Sequence, residues 1–373
     1  MPNSKETTPY LDFSDLEEKE YRQIKQEILN VTLSLSKGDS SPRLESPLDK
    51  LRVTSREVDW IWIGPNSRRK ITLQVGSQNE VGFFLPKSKK IFEISNCLIA
   101  ENQISDLILP LKKFLKSQDQ NFFTQISITL FDNGLDLIFS SAKDLSFSQS
   151  QKLIAFAKEQ NFNISHRVKN HVTPIFKIRN NQIFYPDFKI EVGSEIFIQA
   201  TKSGLTAIIK IIRDFLIQNK QIKNIADIYA GFGAYSFAIV DLAKSISAIE
   251  GDQKMVDSIN KNAAANNFAS KLKAEAEDLF SCPVVKRTLD KLDLAIINPP
   301  RNGASPQVLE IAKSTLKNVI YVSCNPESFT RDAKILIDSG FTITKLTALD
   351  QFYSTKHLEL IAIFQKNNFC QNL

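Results

Sequence analysis

Apolar and polar residues alternate along Lys70-Ile71-Thr72-Leu73-Gln74-Val75 and along Gln125-Ile126-Ser127-Ile128-Thr129-Leu130. A period of two puts every second side chain on one face, so each run predicts a half-buried strand. Past the second run, Asn133-Gly134 stands between apolar stretches and predicts a hairpin turn. Leu107 to Lys116 and Ser148 to Gln160 repeat at helical spacing, with Ser148 and Gln151 placed for a capping box. Strands mixed with helices predict an α+β domain over 51–190.

From about residue 191 the texture changes. Mostly apolar strand candidates are Ile225–Ala230, Ile246–Glu250, Leu272–Ala276, Leu292–Asn298, Val319–Ser323, Thr342–Leu346 and Leu358–Phe364. Helical candidates Ser236–Leu242, Gln253–Asn266, Pro306–Ser314 and Ser328–Ser339 fall among them. Buried strands alternating with helices predict an α/β domain over 191–373, a doubly wound parallel sheet. Ligands of such sheets bind beyond the strand carboxyl ends.

At the other end, Tyr21, Ile24, Ile28 and Val31 make one apolar stripe of an amphipathic helix, with Ser14 and Glu17 spaced for a capping box. Ser36 to Asp49 is rich in Ser and Pro. Residues 1–50 therefore read as a helix and linker appended to the two domains.

A chain of 373 residues suits two domains, and 42% hydrophobic with 24% charged residues excludes wholesale disorder. No apolar run approaches the roughly 18 to 20 residues that span a bilayer, and the polar stretch Met1 to Asp12 reads as neither secretory signal nor anchor. The net charge of +6 is uneven: the first fifty residues carry −3 and the rest +9. A basic body suits a polyanionic partner. Cys97, Cys282, Cys324 and Cys370 form no CxxC pair and no metal-ligand spacing, so no metal is expected and a reducing cytoplasm is.

The chemistry gathers at strand ends. Asp227-Ile228-Tyr229-Ala230-Gly231-Phe232-Gly233 lets the backbone turn tightly and approach a ligand, and Glu250, ending the next strand, suits a ribose. Ser236 stands where a dinucleotide fingerprint has its third glycine, which favours a nucleoside without phosphates, S-adenosylmethionine above all. A plain strand-to-helix turn is the alternative. Asn298-Pro299-Pro300-Arg301 presents an amide that both donates and accepts, suited to a base edge. Cys324 follows the strand Val319–Ser323, where a thiol is placed as a nucleophile, although most such thiols are inert core. Glu359 interrupts the apolar run Leu358 to Phe364; a carboxylate there is costly without a task, and it reads as a general base, a structural ion pair being the alternative. His357 reads as a local hydrogen-bonding residue.

Together these motifs resemble the S-adenosylmethionine-dependent RNA 5-methyluridine (uracil-C5) methyltransferases. The resemblance covers about 195–366. It runs through Phe197-Ile198-Gln199, the 227–233 loop, Asn298 to Arg301, Ser323-Cys324-Asn325-Pro326, Arg331-Asp332, Asp350-Gln351-Phe352 and His357-Leu358-Glu359. A weaker match touches Arg68-Arg69-Lys70, Gly82-Phe83-Phe84 and Cys97. The resemblance implies a Rossmann-like class I methyltransferase domain, S-adenosylmethionine as cofactor and a uridine in rRNA, more than tRNA, as target. It implies Cys324 as the nucleophile that adds to uracil carbon 6 and Glu359 as the base that later removes the carbon 5 proton. Gln199, Tyr229, Gly231, Gly233, Glu250, Asp278 and Asn298 would line the cofactor and base pocket.

Three features depart from that pattern. Asn298 stands where the family usually has Asp. Cys97 resembles one of four ligands of an iron–sulfur cluster whose other three are missing, so no cluster is expected. Residues 1–50 cannot supply the small RNA-binding barrel of many relatives, which leaves RNA contact to 51–190. A monomer is expected. Two rival readings are an amino-group methyltransferase using Asn-Pro-Pro and a non-catalytic RNA-binding or assembly protein that keeps the fold.

Overall fold

A computed structural model of the chain describes residues 17–34 and 58–366. These divide into two compact units, one comprising 64–203 with 353–355, the other 17–34, 58–63, 204–352 and 356–366. The breaks thus fall after Ile63 and Ser203 rather than after residues 50 and 190. The N-terminal helix belongs to the second unit. The Ser14 capping partner and the 36–49 linker lie outside the described residues.

Helix α1 (Glu18–Ser34) turns Tyr21, Lys25 and Leu29 inward, while Ile24 and Ile28 are only half-buried. The buried face is therefore rotated from the predicted stripe, because it is centred on a lysine with a partner. Strand β1 (Asp59–Trp62) was not foreseen: four residues at a sheet edge, pairing in parallel with Thr347 to Asp350.

The first unit carries β2 (Lys70–Val75), β3 (Val81–Phe84), β4 (Ile91–Glu93), α2 (Asn102–Lys116), β5 (Phe123–Phe131), β6 (Gly134–Ser141), α3 (Phe147–Gln160), β7 (Asn163–Val168), β8 (His171–Phe176), β9 (Asn181–Phe184) and β10 (Lys189–Val192). Its seven-stranded sheet runs β4-β3-β2-β5-β6-β7-β8. Ile71, Leu73 and Val75 turn inward on β2 as their alternation requires, and β5 and β6 meet at the Asn133-Gly134 turn. The capping box of α3 uses Ser146 and Gln149 rather than Ser148 and Gln151, so the helix starts a residue earlier than the pattern predicts. Cys97 is buried in this unit's apolar core.

The second unit continues with α4 (Lys202–Gln218), β11 (Asn224–Ile228), α5 (Ala234–Ala238), β12 (Ser245–Glu250), α6 (Gln253–Ala265), β13 (Leu272–Ala276), α7 (Lys286–Leu289), β14 (Leu294–Ile297), α8 (Ser305–Lys313), β15 (Asn318–Ser323), α9 (Pro326–Asp338), β16 (Phe341–Asp350) and β17 (Glu359–Lys366). Its sheet order is β1-β16-β17-β15-β14-β11-β12-β13. Strands β11 to β15 are parallel, whereas β17 runs antiparallel to both β15 and β16. No helix separates β16 from β17, and without a crossover the chain can only return antiparallel there. Residues of β14 and β15 are almost wholly buried, each large apolar side chain contributing about 1.5–3 kcal/mol. From β11 the chain steps outward to β12 and β13 and then returns to β14 on the other side. The loops after β11 and β14 part at that switch point, where a crevice for a ligand forms.

Candidate active site

Tyr229, Gly231 and Gly233 all take positive φ in the loop after β11 (63°, 57° and 82°). Tyr229 has a Cβ and is strained there, a cost that clusters at ligand sites. A Cβ built on Gly231 would meet nothing within 4 Å, so open space lies before it. The Tyr229 hydroxyl is buried without a hydrogen-bond partner among the described residues, and its pKa is pushed up to about 12, by desolvation first and then by the carboxylates of Asp332, Asp278 and Glu250. The Phe280 ring lies 6.0 Å from that of Tyr229.

Glu250 ends β12 and stitches two loops together. Its Oε2 accepts from Gly231 N at 2.8 Å, and Oε1 accepts from Gly251 N at 2.8 Å and Asp252 N at 3.1 Å. A carboxylate has roughly four lone-pair sites. Three are taken, which leaves about one acceptor for a ribose hydroxyl rather than two. Asp278 is exposed, accepts from Phe280 N and the Ser281 hydroxyl, and is held below the usual carboxylate range chiefly by that hydroxyl. Asp227 is fully buried beneath the loop, accepting from Ser236 N and Oγ, and desolvation lifts its pKa to about 7. Gln199 lies in the first unit, where its backbone carbonyl accepts from Arg69 Nε at 3.3 Å.

Beyond β14, half-buried Asn298 donates its backbone N–H to Ile228 O at 3.2 Å, joining the two loops of the switch point. The following turn is clamped from α9. Buried Asp332 accepts from Ala304 N at 2.6 Å, Ser305 Oγ at 2.7 Å and the Tyr321 hydroxyl at 2.7 Å, and Arg331 donates to Asn302 O at 2.7 Å. Gly303 sits against this pair at φ 81°, where a Cβ would come 2.6 Å from an Asp332 oxygen. The Arg331-Asp332 motif thus shapes the loop bearing Asn298 and Arg301.

Cys324 occupies the turn from β15 into α9. Ser323 and Asn325 bracket it by hydrogen bonds through the Ser323 hydroxyl, and Asn325 Nδ2 donates to Arg301 O at 2.8 Å. Asn325 also caps α9 by accepting from Glu327 N, and Pro326 fits the first turn. The thiol is half-buried and free. Desolvation raises its pKa most, the Glu359 carboxylate raises it further, and Arg301 opposes both by its charge and a hydrogen bond. Sequence reasoning treated Arg301 only as part of a motif; its cation next to a thiol was the signal. Glu359, 3% exposed, begins β17 and accepts from Gln351 Nε2 at 3.0 Å. The second unit therefore brings together Tyr229, Glu250, Asp278 and the glycines on one side of the switch point, and places Arg301 and Glu359 within electrostatic reach of Cys324.

Comparison with known proteins follows the same lines. An uncharacterized RNA methyltransferase of Mesorhizobium japonicum is 30% identical over 310 residues, 81% of this chain and 73% of that one. A 23S rRNA (uracil(1939)-C(5))-methyltransferase of Alteromonas naphthalenivorans is 27% identical over 81% of this chain, which spans 65% of that relative's length. The tRNA (uracil-54, C5)-methyltransferase of Pyrococcus abyssi, solved in complex with S-adenosyl-L-homocysteine, shares the fold at TM-score 0.68, with 20% identity over 85% of this chain and 81% of that one. The sequence model of the tRNA (uracil-5-)-methyltransferases matches residues 78–367, and the chain belongs to that family.

Proposed function

We propose that the protein transfers a methyl group from S-adenosylmethionine to carbon 5 of a uridine in ribosomal RNA through a covalent Cys324–uracil adduct. The observation that carries this reading is the thiol of Cys324 within the field of both Arg301 and the buried carboxylate of Glu359. Carbon 5 of uracil is a weak nucleophile. The Cys324 thiolate adds to carbon 6, and the electrons of the carbon 5–carbon 6 double bond become available at carbon 5. S-adenosylmethionine supplies an electrophilic methyl group at that point. Glu359 then takes the carbon 5 proton, the double bond re-forms, and sulfur leaves carbon 6 with its electron pair. Arg301 favours the thiolate at both ends of the cycle.

The loop after β11 fits the donor. The orphaned Tyr229 hydroxyl, the space before Gly231 and the remaining acceptor on Glu250 suit an adenosine moiety, with Asp278 and Gly233 framing the loop and Asn298 facing the base. Ribosomal RNA is favoured over transfer RNA by the curated relatives named as 23S rRNA methyltransferases. The exposed Lys87, Lys89 and Lys90 between β3 and β4 suit RNA phosphates. In this reading the enzyme works as a monomer in the cytoplasm, with Cys282 and Cys324 as free thiols.

The test is incubation of the protein with ribosomal or transfer RNA and methyl-labelled S-adenosylmethionine, followed by mapping of 5-methyluridine. Label at a discrete ribosomal uridine, lost in Cys324→Ala, is expected. Label in transfer RNA alone would overturn the substrate, and RNA binding without methylation would favour the non-catalytic reading.

A further inference from the structure

We propose that helix α1 belongs to the catalytic apparatus: Tyr21 and Lys25 hold Asp350 and the His357 carbonyl, and so position Glu359 for proton abstraction. The proposal rests on the reading of Glu359 as the base.

The Lys25 side chain is 0% exposed, although an ammonium is among the costliest groups to bury. Its Nζ donates to Asp350 Oδ1 at 2.9 Å and to the carbonyl of His357. The Tyr21 hydroxyl donates to the other carboxylate oxygen, Asp350 Oδ2. Both oxygens of a carboxylate 1% exposed are thus engaged by one helix.

The two anchor points are not arbitrary. Asp350 ends β16, His357 lies two residues before Glu359, and Leu349 and Glu359 are opposite one another in the β16–β17 ladder. Lys25 therefore grips both ends of the connection that carries Gln351, the residue donating to Glu359. The flank is braced too. Trp62 of β1 pairs with Asp350, Ile63 N donates to Asp350 O at 2.9 Å, the Tyr21 and Trp62 rings meet edge to face at 6.3 Å, and the Arg22 guanidinium lies 4.9 Å over Trp62. Simple packing of α1 would be served by residues such as Leu29. A buried ion pair that also binds a backbone carbonyl adds little net stability for its desolvation cost, but it defines one geometry. Residues 18–34 lie outside the stretch matched by the family's sequence model, which includes Asp350 and His357, so only the α1 half of this brace lies outside the shared motif set.

The step concerned is release. The Glu359 carboxylate accepts the carbon 5 proton, the carbon–hydrogen electrons form the carbon 5–carbon 6 double bond, and the bond from Cys324 sulfur to carbon 6 breaks with its electrons on sulfur. Misplacing the base slows this step and leaves the earlier thiol addition and methyl transfer intact.

Single-turnover reactions of the full chain with ribosomal RNA and labelled S-adenosylmethionine separate the two phases, adduct being read on denaturing gels and freed methylated RNA by its label. Lys25→Met is expected to form methylated adduct at the wild-type rate and to release it about ten- to hundredfold more slowly, the cost of a displacement on the order of 1 Å. Tyr21→Phe, which keeps the volume of the ring, should slow release in the same direction by less, and Lys25→Arg should restore part of it. Wild-type release in Lys25→Met and Tyr21→Phe, while Glu359→Gln stalls as adduct, would overturn the proposal and leave the base standing. Adduct formation and release falling together in proportion to the folded fraction would reduce α1 to packing and also overturn it. Normal release in Glu359→Gln would remove the base itself and the proposal with it.

Discussion

Gln351 Nε2 donates a hydrogen bond to Glu359 Oε2 at 3.0 Å, and both side chains are buried. Hydrogen bonds to charged groups contribute about 1.5–3 kcal/mol each. Gln351→Leu should lower stability by an amount of that order, read as a shifted urea midpoint at unchanged slope. It should also slow release of methylated RNA more than it slows methyl transfer. Release at the wild-type rate would detach the amide from the work of Glu359.

Burial and the Glu359 carboxylate raise the Cys324 pKa, while Arg301 opposes them. The thiolate is the reactive form, so alkylation of Cys324 should accelerate with rising pH. Arg301→Leu removes the lowering influence. Its rate–pH midpoint, followed by mass spectrometry of the Cys324 peptide, should move upward, with slower reaction at neutral pH. An unmoved or lowered midpoint would show that the guanidinium does not act on the thiol.

Asp227 has its pKa lifted to about 7 by complete burial. In the unfolded chain it titrates near 3.9. Between those values the folded state holds more protons than the unfolded one, so the contribution of Asp227 to stability is full below about pH 4 and is lost as pH rises through about 7. Asp227→Asn does not titrate. The fall in Tm between pH 5 and pH 8 should be shallower in this variant than in the wild type, and parallel curves would refute the assignment.

The β11–β15 core was legible because short apolar runs between turn residues have few other places to go. Leu294-Ala295-Ile296-Ile297 is buried throughout, as a central parallel strand must be. Strand direction after Asp350 was legible in principle: no helical segment separates the last two strand candidates, and that alone implies an antiparallel return. Lys25 was hidden because a lysine in an amphipathic stripe reads as solvent-facing until Asp350 arrives from more than three hundred residues away. The same reason concealed the Asp332 clamp on Ala304 and Ser305, which joins residues far apart in sequence. The α3 cap slipped because Ser146 and Ser148 both precede a glutamine by three residues, and propensity cannot choose between them.

Lys87, Lys89 and Lys90 are exposed in one turn of the first unit. If each meets a phosphate, replacing all three by Ala should weaken RNA binding uniformly across sequences. The slope of log affinity against log salt should shrink by about 2, at roughly 0.7 per contact on single-stranded RNA. An unchanged slope would move the RNA contact elsewhere.

The covalent route is tested most directly with RNA carrying 5-fluorouridine in place of uridine. Fluorine on carbon 5 cannot leave as a proton does, so the cycle stops after methyl transfer with sulfur still bonded to carbon 6. Wild type with S-adenosylmethionine should yield a protein–RNA adduct that survives denaturation, Glu359→Gln should yield it equally, and Cys324→Ala should yield none. Methylation of uridine by Cys324→Ala, or an undiminished adduct in that variant, would contradict the account.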